Sequence, residues 1–187
     1  MVPKKPTRRA IVVLLVAAVA AVATRVALPA PQHHARFSAA LACGIERWSI
    51  KTLKDRPRLL RAKATTIAFL VSLPRPAPFP PPARVPVERQ IYTVTASLTL
   101  DRTEADLDHH LVLRAGGKTM IAETPSSLCT VGATAYRRKQ MSNSRAAARI
   151  CSEARVAGVA FFDYPHGQTG VAPNSIELHP VLDFACV

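Results

Sequence analysis

The sequence predicts a mainly β domain of the α+β kind, with five strands and one helix inserted between the third and the fourth. Three observations predict it. Residues 87–124 and 155–184 alternate apolar with polar side chains or are rich in β-branched and aromatic residues. One Ala- and Arg-rich stretch between them carries no proline, and Gly, Pro and Asp clusters punctuate the runs. Apolar residues are 49% of the 187-residue chain, enough for a core, while 16 prolines put part of it outside regular structure.

The elements follow in order. "VERQIYTVTASLTL" (87–100) sets Ile91, Thr93, Thr95 and Ser97 against Tyr92, Val94, Ala96 and Leu98, a long first strand. "DRTEADLD" (101–108) is an acidic turn. "HHLVLR" (109–114) is the second strand, Gly116-Gly117 a hairpin turn, and "KTMIAET" (118–124) the third strand, ended by Pro125. The helix covers 133–149. "RVAGVAFFD" (155–163) is the fourth strand and "SIELHPVLDF" (175–184) the fifth, with Pro180 marking an edge or a bulge. This order matches an OB-type barrel, a partly open five-stranded Greek key, and 87–187 is a fitting length for one.

Upstream, "MVPKKPTRRA" precedes an uncharged run at 10–23, and Ala21-Val22-Ala23 has the form of a cleavage site. This is the layout of a secretory signal peptide over 1–23. An uncleaved anchor extending to about residue 28 is the alternative, with the basic end held inside. Localisation is accordingly secreted or periplasmic, or membrane-anchored by residues 10–28. Residues 24–42, with His33 and His34, read as a flexible leader. Residues 43–73 read as a short segment with one helix capped by Thr65 or Thr66. Residues 74–86 hold seven prolines, a semi-rigid linker.

Four cysteines in an exported chain imply two disulfides. If the fourth and fifth strands form a hairpin closing near Asp163 and Ile176, paired positions sum to about 339, and Cys186 faces a position near Cys151. The expected bridges are therefore Cys151–Cys186 and Cys43–Cys129. No Cys-x-x-Cys spacing occurs, which argues against zinc ribbons and thioredoxin-like chemistry.

"DHHLVL", "KTMIAETP", "ERWSIKT" and above all "GVAFFDYPHGQTGVAPNSIELHPVLDF" resemble a group of uncharacterised exported bacterial proteins. These carry a C-terminal His-Gly-Gln-Thr-Gly-x-Ala-Pro-Asn-x-Ile-Glu-Leu-His-Pro-Val motif. The resemblance covers about residues 43–186 and implies export and a small β domain, with no assigned activity. His109 departs from the pattern by replacing an aromatic residue, and the stretch after Cys129 is unusually basic.

In an OB-type barrel the loops between strands one and two and between strands four and five flank the binding face. Here those are 101–108 and 164–175. The candidate ligand-binding residues are His166, Glu177 and His179, with Asp106 and Asp108 opposite. Glu177 and His179, spaced i to i+2, share a strand face and can act together; cross-strand charge pairing is the plain alternative. Asp106 and Asp108 also serve as turn residues. Of His109 and His110, on opposite faces, His110 is the better structural, hydrogen-bonded residue. Asp101, Glu104 and Asp163 stand nearby. Gly167 and Gly170 read either as part of a ligand loop or as suppliers of positive φ.

Asp106, Asp108 and Glu123 also form a carboxylate set for a divalent metal, Ca2+ or another, as in thermonuclease-type OB enzymes; Lys118 stands where those want an arginine. No cofactor is required otherwise. The formal charge of +13 invites nucleic acid, but Lys and Arg concentrate in 43–90 (ten against three acids) and 131–150 (five against none). Residues 91–130 (three against five) and 151–187 (one against four) are acidic, so nucleic acid is disfavoured at the barrel face. The sequence thus predicts an exported OB-like binding or structural module without catalysis. A metal-dependent phosphodiester hydrolase and a membrane-anchored envelope protein contacting anionic surfaces are the alternatives.

Overall fold

A computed structural model describes Cys43, Gly44 and residues 46–187. The expected signal or anchor and the leader lie outside the described residues. The elements are α1 (Trp48–Lys51), β1 (Leu60–Ala64), α2 (Ile67–Ser72), a 3-10 turn (Pro86–Arg89), β2 (Gln90–Thr103), β3 (His109–Ala115), β4 (Lys118–Thr124), α3 (Ala135–Ala147), β5 (Cys151–Phe162) and β6 (Ile176–Cys186).

The six strands form one sheet in the order β1-β2-β3-β4-β6-β5, and an added β2–β5 pairing closes the last five into a ring of hydrogen bonds. The ring is antiparallel except at β4–β6, where Ile121 faces Glu177 in parallel. Within the ring β2 serves two neighbours because it is long: its first half pairs with β5 and its second half with β3. Tyr92, Val94, Ala96 and Leu98 point inward as their alternation requires. They meet Leu111, Leu113, Met120, Val156, Phe162, Leu178 and Phe184 in the main core.

A sixth strand was not expected. β1 pairs parallel to the edge of β2, and all five of its residues are exposed. "LRAKA" alternates Leu60, Ala62 and Ala64 with Arg61 and Lys63, but the run is short, two of its three apolar residues are Ala, and neither face is covered. The segment 43–73 thus holds two helices and a strand where one helix was expected. That helix is α2, with Thr66 Oγ1 accepting from Phe69 N at 3.1 Å.

The Pro-rich stretch lies against the domain instead of spacing it from another. Pro81 is buried, Phe79 packs on the core, and Arg84 holds Asp55 and the Ile50 and Glu88 carbonyls. α3 falls within the expected 133–149. Thr134 caps it, and Met141 joins Leu53, Val159 and Leu182 in a second core cluster.

Both disulfides have the expected pairing: Cys43–Cys129 and Cys151–Cys186. In the β5–β6 hairpin, Ala154 faces Cys186 and Gly158 faces Val181, with register shifts on either side of Gly158. The bulge lies opposite Pro180, whose ring cannot donate to the ladder. Gly158 permits it: a Cβ there would stand 2.8 Å from Leu178 Cβ and 3.1 Å from the Pro180 carbonyl.

Candidate functional site

The apolar spacing of β3, β4 and β6 should leave His110, Glu123, Glu177 and His179 on a solvated face. Instead all four are buried, with exposures of 3% or less. Asp108, Asp163 and Lys51 join them.

The cover comes from α1 and the two loops. Arg47, in the left-handed region just before α1, grips both Glu88 oxygens at 2.8 and 2.6 Å and donates to Phe162 O at 2.9 Å. Glu88 in turn accepts from Phe162 N at 3.0 Å. One helical turn on, Lys51 Nζ donates to Asp163 Oδ2 at 2.8 Å. The Arg-Trp-x-x-Lys spacing therefore straps α1 across the end of β5 with two cations and aims Trp48 elsewhere.

His179 is the centre of the buried network. Its Nδ1 lies 3.0 Å from Glu123 Oε2 and 3.1 Å from Glu177 Oε1, and its Nε2 lies 3.2 Å from Asp108 Oδ2. The last contact is close enough for ion pairing but poorly aligned for a hydrogen bond. Glu123 Oε1 also meets His110 Nδ1 at 3.0 Å, and His110 Nε2–H donates to Thr169 O at 2.8 Å. His110 is thus the peg that fixes the His-Gly-Gln-Thr-Gly loop. Gly170 packs so tightly there that a Cβ would stand 2.7 Å from Val112, at a φ of +87°.

Burial alone would neutralise these groups; their arrangement keeps most of them charged. Burial pushes the Glu123 carboxyl up, but hydrogen bonds from His110 and His179 outweigh it and hold it well below the usual range. Burial lowers His179, and the Asp108, Glu123 and Glu177 carboxyls around the ring more than reverse this, raising it well above 6.5. Burial lowers Lys51, and the charges of Glu177, Asp163 and Glu123 raise it overall. Glu177 is the exception: burial, then the Glu123 and Asp163 charges, push it up to about 8.

Above the network lies an open pocket of about 690 Å³. The end of β2 lines it with Arg102, the β2–β3 connection with Glu104 and Asp106, the β5–β6 connection with His166 and Gln168, and α1 with Trp48 and Lys51. The two remote loops do stand side by side. Burial and then the Asp108 charge raise the Asp106 carboxyl. Arg102 pairs with Glu104 at 2.9 Å.

The sequence-predicted residues divide between these two layers. His179, Glu177, Asp108 and Glu123 belong to the network; Asp106 and His166 line the pocket. His166 approaches Asp163 at 3.6 Å, not Asp108. The carboxylate set of Asp106, Asp108 and Glu123 is not brought together as a metal group. Asp108 and Glu123 are grouped with His179, since Asp106 turns outward while its Oδ1 accepts from Asp108 N at 3.1 Å. His110 is buried and hydrogen-bonded on both ring nitrogens. His109, on the opposite face, lies 3.4 Å from Asp101. Lys51, Arg47 and Trp48 were missed as site residues. Their signal was the Glu-Arg-Trp-x-x-Lys-Thr string itself, whose partners lie more than 100 residues away in the cases of Asp163 and Phe162.

No protein-family model matches the chain, and no curated protein matches it in sequence. Among solved structures it is similar to a protein assigned as an aspartyl-tRNA synthetase from Leishmania major Friedlin. The identity is 14% and the TM-score 0.43, over 67% of this chain and 20% of that one. The chain thus spans about one fifth of that protein's length.

Proposed function

We propose that the chain is an exported OB-like module that binds a polyhydroxylated, saccharide-type ligand in the pocket between its 101–108 and 163–175 loops. The observation that carries this is the convergence of those loops with Trp48 around one open pocket. In OB folds such loops receive oligonucleotides or oligosaccharides.

The charge balance favours sugar over phosphate. Lys51 is taken by Asp163 and Arg102 by Glu104, whereas Glu46 and Asp106 line the pocket as acids. An acidic pocket repels a phosphate backbone. A Trp ring offers an apolar face for sugar C–H groups, and the carboxylates, His166 and Gln168 offer partners for hydroxyls. The basic residues gather elsewhere: Arg56, Arg58, Arg61, Lys63, Arg138 and Lys139 are exposed and none lines the pocket. They are the surface for anionic envelope polymers.

The pairing pattern β2-β3-β4-β6-β5-β2, with one parallel contact, supports the OB-like reading. Two disulfides fit an oxidising, extracellular or periplasmic compartment. No described helix is long and apolar enough to cross a membrane. A thermonuclease-type hydrolase is less well supported, because Asp108 and Glu123 are sealed beneath the pocket that a phosphodiester would have to enter.

The test is glycan-array screening followed by titration calorimetry. Binding to a saccharide, lost in Trp48→Ala with the fold intact by circular dichroism, supports the reading. Binding to single-stranded DNA and to no saccharide would sink it.

A further inference from the structure

One carboxylate of the buried network stands apart from the rest. Glu123 is hydrogen-bonded by His110, Glu177 by His179, and Asp163 by Lys51. Asp108 is 0% exposed, and among the described residues neither of its side-chain oxygens has a hydrogen-bond partner. His179 Nε2, the atom facing it, is equally buried and equally without one. The His179 ring 3.2 Å away offsets the Asp108 charge only while it is protonated, and a buried carboxylate with neither oxygen hydrogen-bonded remains costly. Such groups call for an explanation in the chemistry of the site.

One donor atom each from Asp108, Glu123 and His179 lies within 4.8 Å of the others. We propose that these three side chains bind a divalent cation of the zinc and manganese class, which locks β3, β4 and β6 together beneath the pocket. Two carboxylates and an imidazole suit such an ion. Calcium, which takes six to eight oxygens, is excluded by the nitrogen donor and the small ligand number. A dication balances the Asp108 and Glu123 charges when His179 is neutral, so binding releases one proton from His179 Nε2 to solvent and draws Glu123 Oε2, now 3.0 Å from Nδ1, round to the Nε2 side. The His179 Nδ1–H then donates to Glu177 Oε1, now at 3.1 Å. This is the outer carboxylate that orients a metal-bound histidine. The ion enters past the 104–108 turn, where Asp106 lines the pocket and bonds the Asp108 backbone.

The site is independent of any pocket ligand and is tested without one. Tag-free full chain is equilibrated with Zn2+ or Mn2+, dialysed and assayed for metal. We expect one ion per chain and a melting temperature raised by about 5–10 °C at 100-fold excess over Kd. A chelator should reverse the shift. Asp108→Asn and His179→Gln should lose the ion. His166→Ala should keep it, which separates this site from the Glu46, Asp163 and His166 group. If the network variants fail to fold, Co2+ added to the wild type decides: a ligand-field spectrum distinct from aqueous Co2+ supports the site. Absence of retained metal, an aqueous-type Co2+ spectrum, or metal lost in His166→Ala and kept in Asp108→Asn overturns it.

Discussion

His179 Nε2 stands 3.2 Å from Asp108 Oδ2 with both side chains wholly buried, so the last strand is joined to the first connection of the ring through a charged contact out of reach of water. Glu123 on β4 holds the other edge of the same imidazole at 3.0 Å. Three sequence-distant elements therefore depend on one ring, and the consequences are measurable.

The first concerns pH in the presence of chelator. Glu177 is raised from 4.5 to about 8, so the stability tied to its retained proton is full below about pH 4.5 and lost as pH rises through about 8. His110 and His179 are also raised, and their contribution is lost as pH climbs above 6.5. Glu123 is lowered and works in the opposite sense, its contribution vanishing as pH falls below 4.5. Stability should therefore peak in the mildly acidic range between these values and decline by about 1–3 kcal/mol toward pH 9. Urea midpoints measured across pH check this, and Glu177→Gln should flatten the alkaline decline. A profile flat from pH 5 to 9 contradicts it.

Lys51→Met removes the only cation that, among the described residues, hydrogen-bonds the Asp163 carboxylate, and should cost about 3–5 kcal/mol. Adding Asp163→Asn should recover a large part of the loss. A double-mutant cycle by chemical denaturation reads the coupling; a value under about 0.5 kcal/mol would show that the pair does not act as a unit.

Gly158→Ala should destabilise by about 1–3 kcal/mol, because its Cβ meets backbone and Cβ atoms of β6 that cannot swing away. Gly117→Ala, where a Cβ meets nothing, is the control for φ alone, since its φ is +70°. Equal losses at the two positions would refute the close-approach account of the bulge.

The bridges should differ in weight. Cys43–Cys129 spans 86 residues and Cys151–Cys186 spans 35, which by chain entropy gives about 4.6 and about 3.8 kcal/mol. Cys43–Cys129 also borders the pocket, since Cys129 Sγ lies 4.0 Å from Asp106 O and Gly44 lines the cavity. Serine replacement of that pair should weaken pocket ligand binding. Replacement of Cys151 and Cys186 should affect melting alone. Calorimetry with and without ligand distinguishes the two outcomes.

Much of the β framework was legible in the chain. Tyr92, Val94, Ala96 and Leu98 announce an inward face, Thr66 a helix start, and Pro180 the interruption opposite Gly158. Hairpin arithmetic put Cys186 within a few positions of Cys151 because antiparallel pairing conserves the sum of positions, and the observed strand partner of Cys186 is Ala154. β1 was not read because its alternation is short, rests mostly on Ala62 and Ala64, and buries neither face. Glu177 and His179 were legible as a pair but not as buried. Alternation says which side chains share a face, and what covers that face comes from elsewhere in the chain.

The sequence by itself determined the periods of the strands it predicted and the helix between β4 and β5, since each depends on local geometry, and it favoured a cysteine pairing that the structure then settled. Only the tertiary structure decided that Lys51 reaches Asp163, that Asp108 and Glu123 meet at His179, and that Asp106 and His166 stay in the open pocket above. The physical reason is that a charged side chain carries no local preference for burial. Whether it is buried is decided by the partners that remote elements deliver, and here those come from α1, three strands and two loops.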